Sequence, residues 1–131
     1  MRYLILIYGN EQQLTSMTPE AMGALLGEYK AYTQVLAEAG VLRGGDELQP
    51  TFTATTIRRR DGKIHTTDGP FAETKEQLGG YYIIETESLD EAIALAGKCP
   101  AVNGGSVEVR PMVASPAGAE ADATSEKHAA R

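Results

Sequence analysis

The chain has 131 residues, with 12 Lys and Arg against 18 Asp and Glu, and a formal net charge of −6. That length fits one domain with a modest core. The acidic balance excludes the basic stripe that direct nucleic-acid binding requires. A single cysteine, Cys99, excludes an intrachain disulfide. No apolar run reaches membrane-spanning length, and the opening one is too short for a signal peptide. The expectation is a cytoplasmic protein in a reducing compartment, with no membrane partner.

Residues 3–8 read as the first strand. Its odd positions (Tyr3, Ile5, Ile7) and even positions (Leu4, Leu6, Tyr8) are both apolar, so it needs cover on both faces. Helices supply one cover; in so short a chain the other is expected from a second subunit, a homodimer. Residues 9–17 read as a polar loop. Thr18-Pro19-Glu20 then opens a helix, with an N-cap, a proline at the first helical position and an acid in the first turn. Met22, Leu25, Leu26, Tyr29, Tyr32, Leu36 and Ala39 recur at helical spacing, and Gly40 stops the helix.

Residues 41–50 read as a short extended segment kinked at Gly44-Gly45. Residues 51–58, rich in β-branched side chains, read as a strand. Asp61-Gly62 is a hairpin turn, residues 63–67 are the return strand, and Asp68-Gly69-Pro70 ends it. Arg58-Arg59-Arg60 reads as the solvated end of that hairpin. Residues 78–85 form the next strand, where Gly79-Gly80 marks a bulge or a close backbone approach. Ser88-Leu89-Asp90-Glu91 is a capping box for a helix through Ala92, Ile93 and Ala96 that ends near Pro100. Residues 106–112 form the last strand, with Val107 and Val109 inward and Glu108 and Arg110 outward. The domain is expected over 1–113, and the Ala-rich stretch 114–131 reads as a disordered tail. The order predicts an α+β, ferredoxin-like βαββαβ fold with an antiparallel sheet and a hairpin in its middle. Two such sheets packed face to face would form a dimeric α+β barrel.

Asp68-Gly69-Pro70-Phe71, followed by the run from Ala72 to Tyr82, resembles the DGPF signature of the YCII-related family. Leu4-Ile5-Leu6-Ile7-Tyr8-Gly9, Ala39-Gly40-Val41-Leu42, Gly45-Asp46-Glu47-Leu48-Gln49-Pro50 and Gly105-Ser106-Val107-Glu108-Val109-Arg110-Pro111 also resemble it, over residues 1–113. The resemblance implies a dimeric α+β barrel with a pocket between helices and sheet, and no settled activity. Some members are encoded beside, or joined to, extracytoplasmic-function sigma factors; a few relatives act on chlorinated hydroxyquinones. In the wider family a His on the first helix and an Asp near the end of the second form an active pair. Here the first helix carries Tyr29 and Tyr32 and no His, and the position of the Asp is Cys99, before Pro100.

The residues themselves supply the candidate site. Asp68 reads first as an Asx-type turn residue accepting from the Phe71 N–H, and second as a general base at a pocket mouth. Phe71 is expected to anchor that turn in apolar surroundings. Glu73 sits in a mixed-charge connector that reads as surface loop or as a lid. Tyr29 and Tyr82 read as core packing or as pocket lining with a hydroxyl to offer. The ligand-binding candidates are therefore Tyr29, Asp68, Phe71, Glu73 and Tyr82, with Asp68 the catalytic candidate. His65 and His128 lack a second ligand at metal spacing, so neither metal nor cofactor is expected. Cys99, at a helix C-terminus, is expected to have a raised thiol pKa and to be no nucleophile. The leading expectation is a dimer that binds a small, partly aromatic molecule, with Asp68 as base and Tyr29 or Tyr82 polarising an oxygen. The alternatives are a regulatory or accessory protein that touches a sigma factor, and an enzyme fold kept as a scaffold.

Overall fold

Strand β1 (Arg2–Gly9) lies in the middle of the molecule, as a strand apolar on both faces must. The computed structural model describes residues 1–114. The expected tail lies almost wholly outside them. After β1 come a short helix α1 (Glu11–Thr15), the long helix α2 (Pro19–Glu38) and strand β2 (Leu42–Glu47). A 3-10 turn (Thr51–Thr53) leads to the hairpin β3 (Thr55–Arg60) and β4 (Lys63–Asp68). Strand β5 (Gln77–Glu85), helix α3 (Leu89–Ala96), a second 3-10 turn (Pro100–Asn103) and β6 (Ser106–Pro111) complete the chain.

The main sheet has the order β2-β5-β1-β6, and every neighbouring pair is antiparallel. Since β5 runs against both β1 and β2, the β1-α2-β2 unit is a split βαβ, and β5-α3-β6 is a second. This is the ferredoxin-like plan, with the β3–β4 hairpin inserted between β2 and β5 as a separate two-stranded sheet.

Local chemistry accounts for most of the element ends. Thr18 accepts from the Ala21 N–H and Pro19 takes the first helical position of α2. The helix closes in a Schellman motif. Gly40, at φ 74°, donates to the Ala37 carbonyl, and Val41 donates to that of Leu36. The same motif seats Val41 against Leu36 in the core. Ser88 accepts from the Glu91 N–H, and the Glu91 carboxylate reaches back to the Glu87 N–H rather than to that of Ser88. Asp61 and Gly62 take φ of 51° and 75°, as a type I′ hairpin turn requires.

The central glycines have two separate reasons. Gly79 is the extra residue where the β1–β5 register shifts, a bulge. A Cβ on Gly80 would meet the Asp46 carbonyl at 3.0 Å.

One face of the sheet carries the helices. Tyr3, Ile5 and Ile84 from the sheet pack with Tyr32 and Leu36 from α2, Ala92 and Ala96 from α3, and Val41 and Cys99 from the connectors. Ile5, Leu36, Ile84 and Cys99 are fully buried. Burying each large aliphatic side chain contributes about 1.5–3 kcal/mol. Val107 and Val109 pack against this core as expected.

Register puts Leu4, Leu6, Tyr8, Tyr81 and Ile83 on the opposite, helix-free face. They are half-buried there, at the centre of a polar rim. The rim includes Arg2 with Glu85, Tyr81 with Asp46, and Glu108 with both Tyr8 and Arg110.

Two segments depart from the sequence expectation. Within the expected loop, residues 11–15 form α1, because Asn10 caps it by accepting from the Gln13 N–H. The Glu11 carboxylate also accepts from both the N–H and the hydroxyl of Thr51, each at 2.7 Å. Within the expected strand 51–58, residues 51–53 form a 3-10 turn, closed by the Thr53 N–H and hydroxyl on the Pro50 carbonyl. The strand starts only at Thr55 and runs to Arg60.

Candidate functional site

The densest chemistry lies between α2 and β5, where three tyrosines meet a cysteine. One α2 turn separates Tyr29 from Thr33, so both face the sheet beside Tyr32. Tyr82 rises from β5 beneath them. The Tyr32 and Tyr82 rings meet edge to face, centroids 5.4 Å apart and planes at 87°. Tyr32 donates its hydroxyl to the Leu95 carbonyl at 2.9 Å, which commits that group to structure.

The remaining hydroxyls form a short chain. Thr33 donates its only proton to the Tyr29 carbonyl at 2.9 Å. Its oxygen is also 2.7 Å from the Tyr82 hydroxyl, so Tyr82 is the donor there. The Tyr29 phenol stands close enough to the Cys99 thiol for the two to interact electrostatically.

Burial and the neighbours set the protonation. Burial first, then the Cys99 thiol, Tyr82 and Glu47, push the Tyr29 phenol well above its ordinary range. Burial, Cys99 and the other two tyrosines do the same for Tyr32. Burial also raises Tyr82. The Cys99 thiol is pushed up by its burial, against smaller opposing pulls from the Ala101 backbone and the Tyr29 hydroxyl. The direction is the expected one, but the cause is burial rather than the end of a helix dipole: α3 stops three residues earlier, at Ala96. All four groups are therefore neutral at pH 7, and the cluster holds hydroxyl protons rather than charge.

The structure brings together two of the sequence candidates, Tyr29 and Tyr82. It places the other three elsewhere. Asp68 ends β4, exposed, and its carboxylate accepts no hydrogen bond among the described residues. The expected bond from Phe71 is absent. The turn is closed instead by the Gly69 N–H on the Ala54 carbonyl at 2.7 Å and by the Thr56 hydroxyl on the Gly69 carbonyl at 2.8 Å. Phe71 is 78% exposed and anchors nothing apolar. Its carbonyl accepts from Arg58 at 3.4 Å. Glu73 is exposed on the following connector. Phe71 lines a shallow concavity on the hairpin with Thr56, Arg58, Arg60, His65 and Thr67. A second concavity, lined by Met1, Val41, Glu85, Thr86, Glu87 and Glu91, lies at the end of β5. Neither reaches the tyrosines.

Thr33 and Glu47 were not among the sequence candidates. Thr33 follows Tyr29 by four residues, a spacing that stacks two side chains on one helix face. Glu47 ends β2 opposite Gly80, on the helix side of the sheet, which follows only from the strand register.

The comparisons follow this geometry. An uncharacterised protein of Rhizobium meliloti (strain 1021) is 40% identical over 114 residues, covering 86% of this chain and 92% of that protein. Among solved structures, the 5-chloro-2-hydroxyhydroquinone dehydrochlorinase TftG from Burkholderia phenoliruptrix AC1100, in complex with 2,5-dihydroxybenzoquinone, is 17% identical. That match covers 88% of this chain and 96% of the other, with a TM-score of 0.46. The model of the YCII-related domain matches residues 1–115. The split βαβ sheet, its inserted hairpin and this match together make the chain a member of the YCII-related family.

Proposed function

We propose that this chain is a small-molecule-binding dimeric α+β barrel, that Tyr29 and Tyr82 present hydroxyls to the ligand, and that Glu47 stands at the rim. One observation carries the reading. The half-buried Tyr29 hydroxyl has no oxygen or nitrogen partner among the described residues and stands beside a neutral thiol, a poor acceptor. A ligand oxygen would accept that proton better, so little is lost when a ligand displaces the sulfur. Neutral donors, an edge-to-face aromatic pair and no fixed positive charge suit a planar, oxygen-bearing ring. Asp68, with Phe71 and Glu73 near it in the chain, lies apart from these hydroxyls and is kept as a candidate base only for a separate site on the hairpin. Cys99 serves as a wall and not as a nucleophile. The homodimer reading is supported by the half-buried apolar centre of the helix-free sheet face, Leu4, Leu6 and Ile83. A free thiol buried in the core suits a reducing cytoplasm. The accessory reading, with a sigma factor as partner, draws on no residue described above.

The test is calorimetric titration of a panel of hydroxylated aromatics into the full chain and into Tyr29→Phe and Tyr82→Phe. Binding should weaken roughly tenfold in Tyr29→Phe, the loss expected when one hydrogen bond to a ligand is removed. The unfolding midpoint of that variant should stay close to wild type. Unchanged affinity in both variants, or no binder in the panel, would reject the site.

A further inference from the structure

The hairpin arm β3–β4 has almost no support among the described residues. Every residue of the two strands is exposed except Thr56. Cross-strand pairing sorts its side chains into two faces. Thr56, Arg58 and Arg60, opposite Thr67, His65 and Lys63, make a basic face. Ile57 and Arg59, opposite Thr66 and Ile64, make the other. Ile57 is 62% exposed and Ile64 55%.

Two physical arguments indicate what covers that second face. An isolated two-stranded hairpin is at best marginally stable in water and needs a third strand or a packed face. Here Ile57 and Ile64 are apolar residues in position for such packing, with nothing on them among the described residues. The charge is also divided unevenly. Residues 55–68 hold Arg58, Arg59, Arg60 and Lys63 against Asp61 and Asp68, a net +2. The remainder of a chain of net charge −6 therefore carries −8. None of the four cations is ion-paired among the described residues. Arms with like charge do not pair with one another readily, and a body at −8 repels a nucleic acid. A surface of the chain's own acidic body suits the arm on both counts.

We propose that the arm docks on the acidic body of a second copy of this chain, with Ile57 and Ile64 laid against that copy and Arg59, on the same face, meeting its acidic charge. This rests on the homodimer reading and adds to it a contact outside the sheet face. In a twofold dimer each copy gives one arm and receives one.

The test uses the full chain, Ile57→Asp/Ile64→Asp, and Arg59→Glu. All three positions lie off the core, so circular dichroism should show an unchanged fold. Sedimentation velocity from about 1 to about 100 µM reads self-association, and both variants should weaken it roughly tenfold or more. Hydrogen exchange gives the local readout: amide protection in β3 and β4 should rise with protein concentration in wild type and not in the variants. Variants that associate like wild type, with arm protection independent of concentration, would overturn the arm contact and leave the dimer standing. A wild-type chain that stays monomeric throughout would overturn both. Arm protection gained only on adding a short DNA duplex would show a different partner and overturn the proposal.

Discussion

The α2–β5 core and the β3–β4 arm are built on opposite principles. In the core, polar groups pack against a hydrophobic cluster and three hydroxyls are satisfied, Tyr32 on Leu95, Tyr82 on Thr33 and Thr33 on the Tyr29 carbonyl, while the Tyr29 phenol stands beside the Cys99 thiol. The arm has the regular ladder and turn of a hairpin, but its side chains face water. The contrast separates two sources of order. The core is fixed by burial and by its internal hydrogen bonds, while the arm is fixed by backbone pairing and turn chemistry alone. The core holds preformed hydroxyls. A partner that needs reach and charge finds them on the arm.

Changing buried volume tests the contrast most strongly. Leu36→Ala removes a fully buried side chain from the centre of the core. It should cost about 3 kcal/mol in urea unfolding, whereas Ile64→Ala on the arm should leave the unfolding of the dilute chain within about 0.5 kcal/mol of wild type. A comparable loss at Ile64 would mean that the arm folds as part of the core.

Alkaline pH tests the core by its phenols. Tyr29 and Tyr32 have folded pKa values raised above the ordinary 10.0. Their contribution to stability is therefore fully present below pH 10 and is lost as the pH rises toward the folded values, because only the unfolded chain releases these protons readily. Tyrosinate absorbance should then lag a free-tyrosine titration and climb together with the loss of far-ultraviolet dichroism. Free ionisation of every tyrosine near pH 10 in a folded chain would contradict the packing around Cys99.

The smallest effect is expected at Asp68. With no hydrogen bond on its carboxylate, Asp68→Asn should shift stability by no more than about 0.5 kcal/mol. Any loss of turnover in a ligand-competent chain would then report chemistry rather than folding.

Much of this was legible in the residues, and the misses share a cause. Thr18-Pro19, Gly40, Ser88-Leu89-Asp90-Glu91 and Asp61-Gly62 act through bonds within a few residues, so the elements they bound could be read directly. The two-faced apolar pattern of β1 likewise predicted its central place. Helix α1 was missed because part of its support comes from Thr51, forty residues away. Residues 51–53 look like a strand in composition, but Thr53 bonds back to Pro50 instead of to a neighbouring strand. An aromatic in a Gly-Pro turn suggests an anchor, and Phe71 finds no apolar surroundings among the described residues. The Tyr29–Cys99 contact joins a helix to a distant connector, and no spacing rule reaches that far.

The Glu11 clamp has a mechanical consequence. Its carboxylate holds both polar groups of Thr51, while its own N–H donates to the Gln77 side chain at 2.9 Å. The root of the arm is thus moored to the far end of the β1–β5 ladder, and free rotation can begin only past Thr53. A six-residue strand spans roughly 20 Å, so the arm behaves as a boom of fixed length on a fixed mast. An arm held at its root has fewer orientations than one on a free linker, which lowers the entropic cost of any contact it makes.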